Sequence, residues 1–101
     1  MALEIEKMTN IQERLVGDEA REVGEIIETL SNDFSCMMKN SRMYVLTGEK
    51  KKVDLSNSVI ALQKMRNFGE RFGYVFPDIE NDEQAATYLL KFGKEIVFSG
   101  R

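Results

Sequence analysis

The side chains available for chemistry are mostly carboxylates. Glu25 and Glu28 stand three apart, Asp33 follows, and Glu80, Asp82 and Glu83 gather where a helix would begin. Paired acids can serve as general acid and base or hold a hard cation, but each use needs further groups. A di-iron bundle needs Glu-x-x-His repeats, and the chain has no histidine. It also lacks the Asp-x-Asp-x-Asp-Gly loop of a calcium site. Ser56 and Ser58 have no base nearer than Lys64, at no recognised spacing. Cys36 is the only cysteine, so an intramolecular disulfide, a Cys–His pair and a Cys/His zinc site are all excluded. The residues therefore predict no metal, no cofactor and no enzymatic activity.

Two other constellations are candidates for binding. The first is basic: Lys39, Arg42, Lys50, Lys51, Lys52, Lys64, Arg66 and Arg71 all fall between residues 35 and 74. That stretch carries eight basic and three acidic residues, against three and nine in residues 1–34 and three and five in residues 75–101. Converging cations are what a phosphate ligand requires, so residues 39–71 read as an anion, nucleotide or nucleic-acid site. The same layout equally suits a solvated face, or segments that attract one another within or between subunits. The isoelectric point near 5.0 weighs against a dedicated DNA binder. Glycines in Phe68-Gly-Glu-Arg-Phe-Gly-Tyr74 form no phosphate loop, because neither GxGxxG nor GxxxxGK[ST] occurs. Gly73 reads as a left-handed helix cap and Gly69 as a close-packing position.

The second constellation is apolar. Val16, Ala20, Val23, Ile27, Leu30, Phe34 and Met37 recur at alternating spacings of four and three, making a seam along one helix face. Val16, Ala20, Val23, Ile27 and Leu30 are the candidate interface for a partner or a second copy. A helix of about 30 residues is about 45 Å long, more than two helices of 17 to 19 residues can cover. The seam therefore predicts a homo-oligomer, unless the chain kinks at Gly17 and folds back over it. Met8, Ile11 and Leu15 follow a similar spacing out of phase with the seam, and Gly17 marks the change. Cys36, Met37, Met38 and Met43 add soft side chains able to repack against varied partners or fill core gaps.

These residues need helices to position them. With 101 residues, 43% hydrophobic and 31% charged, the chain reads as one domain with one core. The expected architecture is all-α, a small three-helix bundle. An N-terminal arm spans 1–8, and a long helix spans 9–40, opened by a Thr9-x-x-Gln12 capping box. A basic connection spans 41–54, either a loop or a very short hairpin between 43–47 and 52–55, unless the long helix runs on to about Leu46. The second helix covers 55–73, capped by Asp54 or Ser56, and ends at Gly73 before Pro77. The third covers 81–98 after Asn81-Asp-Glu-Gln84. Its Ala85, Leu89, Phe92 and Ile96 form one row, with Ala86, Leu90 and Val97 alongside, and Phe92 is the expected anchor of the core. No run is long enough to span a membrane, and the start is not a signal peptide. The function this predicts is a cytoplasmic, non-enzymatic adaptor, regulator or inhibitor, of a kind suited to a bacterial or phage accessory protein. It would self-associate and bind another protein, with nucleic-acid or nucleotide binding as the alternative.

Overall fold

A computed structural model describes residues 3–47 and 53–99. Those residues form four helices: α1 (Glu4–Arg14), α2 (Asp18–Thr47), α3 (Ser56–Arg71) and α4 (Asp82–Ser99). The all-helical class is as expected, but the bundle has four helices rather than three. Where an arm and a single helix were expected, the chain makes α1, breaks at Leu15-Val16-Gly17 and starts again. Gly17 takes a φ of +63°, a conformation costly for any residue with a Cβ.

The break lets the apolar faces on either side of it meet. Ile5 and Val23, and Met8 and Ile26, are each 18 residues apart, five full turns, so on one straight helix they would share a face and could not pack against each other. Folding back buries both sets in one core. The turn is fastened by the Gln12 side-chain amide, which donates to the Ala20 carbonyl at 3.2 Å. Gln12 thus serves a different purpose from the expected capping box, and Thr9 lies inside α1. The helix α1 begins instead with the Glu6 carboxylate accepting the Leu3 backbone N–H at 3.2 Å.

Helix α2 does not stop near residue 40. Nothing before Gly48 breaks it, and residues 43–47 continue as helix where one arm of a hairpin was considered. The other arm, Val53–Leu55, has no regular structure, while residues 48–52 lie outside the described residues. Helix α3 returns antiparallel to α2. Asp33 meets Ser58 at 2.5 Å, Glu22 meets Lys64 at 3.3 Å, and Glu19 meets Arg71 at 2.5 Å, in opposite chain order.

Helix starts and stops follow their local chemistry. Asp54 accepts both the backbone N–H and the hydroxyl of Ser56, at 2.9 and 2.7 Å. The helix α3 ends at Arg71, with the Tyr74 N–H reaching back to the Gly69 carbonyl at 2.9 Å. Gly73 supplies the left-handed φ of +81° that this C-terminal cap needs. At α4, Asn81 accepts the Gln84 N–H at 2.9 Å, and the Gln84 side chain accepts the Glu80 N–H at 2.6 Å.

The inner row of α4 is Ala85, Tyr88, Leu89 and Ile96. Phe92, expected to anchor the core, is only half-buried, and Leu90 is 63% exposed. Gly93 takes the inward position beside Phe92. A Cβ there would stand 2.2 Å from the Phe34 ring, so the missing side chain is what admits Phe34. Gly69 does the same for Phe76, whose ring lies 2.6 Å from where its Cβ would be.

Candidate functional site

The expected interface on α2 is drawn largely into the core. Val23 and Leu30 are completely buried within the chain, while Ala20 and Ile27 are half-buried against the same core. Val16 is 85% exposed because it sits in the break before α2, off the seam altogether. The fold-back at Gly17 therefore covers the first half of the seam from inside. Beyond Phe34, none of the described side chains of α2 is buried: Met37 and Met38 are half-buried, and Cys36 and Lys39 are exposed. Ser58 stands beside Asp33, so the start of α3 is level with about residue 35 of α2. From there α2 continues to Thr47, roughly 18 Å at 1.5 Å per residue. The full helix, about 45 Å, matches the 46 Å long axis of the molecule, against 28 Å in the other two directions.

Of the basic residues between 39 and 71 whose side chains are described, three are paired with carboxylates. Lys64 pairs with Glu22 at 3.3 Å, Arg66 with Asp78 at 3.7 Å, and Arg71 with Glu19 at 2.5 Å. The Arg71 guanidinium also lies over the Phe68 and Phe72 rings, 5.9 and 5.7 Å from their centroids. These three cations answer carboxylates from the acidic first and last parts of the chain, so much of the uneven charge closes internally. Lys39 is exposed on α2. Arg42 is on the helical backbone of α2, but its side chain and Lys50, Lys51 and Lys52 lie outside the described residues. A recess of about 230 Å³ beside Glu22, Lys64 and Arg71 is lined by both partners of an ion pair.

A site that the spacing did not reveal joins α1 to α4. Glu4 is buried, and its carboxylate accepts the Tyr88 hydroxyl at 3.0 Å and the Lys7 ammonium at 2.9 Å. One residue on, the Ile5 N–H donates to Glu95 at 3.0 Å, so a carboxylate from α4 meets the positive end of α1. Burial holds the Tyr88 phenol well above its usual pKa, and the Glu4 charge, the bond to Glu4 and the Glu95 charge push it the same way. Tyr88 therefore stays protonated and acts as a fixed donor. The only signal for it in the sequence is its place beside Leu89, on the edge of the apolar row.

Beside this network runs an open groove of about 730 Å³, lined among others by Pro77, Ile79, Glu83, Tyr88 and Phe92. Tyr88 and Phe92 make a tilted aromatic pair, their centroids 4.8 Å apart at 52°. Glu4 and Tyr88, on the groove wall, are hydrogen-bonded to each other. Among the described residues, no three His, Cys, Asp or Glu side chains are grouped to hold a metal ion. Nor is any helix there long and apolar enough to cross a membrane. Compared with known protein families, curated proteins and solved structures, the chain has no match.

Proposed function

We propose that this chain is a small non-enzymatic interaction protein, an adaptor, regulator or inhibitor that works in the cytoplasm by self-association and by binding another macromolecule. The observation that supports this reading is the length of α2. A compact bundle needs its helices to match, yet α2 has 30 residues against 16 in α3 and 18 in α4. Beyond Phe34 it buries none of its described side chains. Residues 43–46 in that stretch read Met-Tyr-Val-Leu, an apolar run of the kind that a partner covers.

The internal pairing of Lys64, Arg66 and Arg71 favours a protein partner over nucleic acid, because those cations are not free to replace counterions on a phosphate backbone. Light scattering over a range of concentrations tests the self-association. The reading expects a mass rising toward twice 11.6 kDa. A constant 11.6 kDa at the highest attainable concentration would overturn it.

A further inference from the structure

The outward face of α2 carries its own 4–3 spacing: Glu25, Glu28, Asn32, Ser35, Lys39 and Arg42. The first five are exposed, and the helical spacing puts Arg42 on the same line. Charge reverses sign along this line. It begins with two acids, passes through two small uncharged residues and ends with two bases. Glu28 and Lys39 are eleven residues apart, about 16 Å, so the opposite charges cannot meet within one helix. Glu25, Glu28 and Lys39 form no ion pair among the described residues, in contrast to Glu19 and Glu22 on the neighbouring line.

We infer that this stripe is the surface through which two copies of the chain pair, with their α2 helices antiparallel. Turned end for end, the pattern is its own complement. Asn32 of each copy faces Ser35 of the other, Glu28 faces Lys39, and the helix position of Glu25 aligns with that of Arg42. All three matches occur in a single register, and two-fold symmetry repeats each of them. A parallel pair would set like charges against like. The small side chains of Asn32 and Ser35 at the centre let the two axes approach closely, which brings the outer charges within reach. The stripe lies opposite Val23, Leu30 and Phe34, so pairing leaves the core untouched. First-turn acids and C-terminal bases also suit the dipole of a single helix, but that effect is confined to the end turns and does not reach Glu25, Glu28 or Lys39.

This inference rests on the self-association proposed above and names its surface. The test is sedimentation equilibrium at low ionic strength on the unmodified chain, on Lys39→Glu, on Glu28→Lys and on the double variant. Each single reversal places like charges together twice per dimer and is expected to weaken association about tenfold or more. The double variant restores opposite charges in the antiparallel register and is expected to recover the unmodified affinity. An equimolar mixture of the two single variants is expected to form a mixed dimer. Urea midpoints of all the variants, taken at a concentration low enough for every one to be monomeric, should agree, since both positions are exposed, which separates lost pairing from lost folding. A chain that is monomeric throughout overturns the self-association reading and this inference together. Dimers indifferent to both reversals, or a double variant as weak as the singles, overturn the stripe and leave self-association standing.

Discussion

The inner and outer faces of α2 share a spacing and differ in everything else. Inward, Val23, Leu30 and Phe34 are buried in the core. Outward, Glu25, Glu28, Asn32, Ser35 and Lys39 stay exposed, with their charges sorted by sign along the helix. The inner face is matched within the chain, while Glu25, Glu28 and Lys39 form no ion pair among the described residues, and the match proposed for them is a reversed copy of the same stripe. A 4–3 repeat is therefore not by itself a sign of an oligomer seam. What decides is whether the same chain supplies the complement.

The largest effect expected from this contrast is on the inner face. Leu30→Ala removes a completely buried side chain and should cost about 2–5 kcal/mol in a urea titration, whereas Asn32→Ala should leave the midpoint nearly unchanged. Equal effects would mean that the two faces are not distinguished as described. Next comes Gly93→Ala, which drives a methyl into the Phe34 ring and should cost about 1–3 kcal/mol. If Gly93→Ala is neutral or stabilising, Phe34 does not need that gap.

The Glu4–Tyr88 contact predicts a smaller effect that depends on pH. Tyr88 is neutral when folded, because its folded pKa is raised above the unfolded value of about 10. The stability it contributes is complete below pH 10. Above that, the unfolded chain releases a proton that the folded one keeps, so stability should fall by about 1.4 kcal/mol per pH unit from this group. Tyr88→Phe should remove that share of the slope. An identical slope in the variant would show that Tyr88 ionises freely.

Much of the fold was legible where one local signal settles an element. Asn81-Asp-Glu-Gln84 marks the start of α4, and Gly73 followed by Pro77 marks the stop of α3. The break at Gly17 was visible as a phase change, but whether the chain kinks or folds back depends on what can cover Val23. That is a question of packing between segments. Thr9-x-x-Gln12 misled because a capping pattern inside a helix looks the same as one at its start. The expectation for Phe92 failed because helical spacing does not say which of two adjacent residues points inward, and Gly93 took that place to admit Phe34. The buried Glu4 could not be found locally, since its partner Tyr88 is 84 residues away.

The single exposed thiol tests the central claim most directly, because Cys36 adjoins the middle of the outer stripe. In the antiparallel register, the two copies of Cys36 are offset by five residues along helices about 8–10 Å apart, placing their Cα atoms about 12 Å from each other. A short bismaleimide added to the unmodified chain at low ionic strength should therefore join two copies through Cys36. That product should be lost with Lys39→Glu and return with Lys39→Glu combined with Glu28→Lys. A dimer that scatters light as such but gives no Cys36–Cys36 product, or gives it equally with Lys39→Glu alone, would contradict the account.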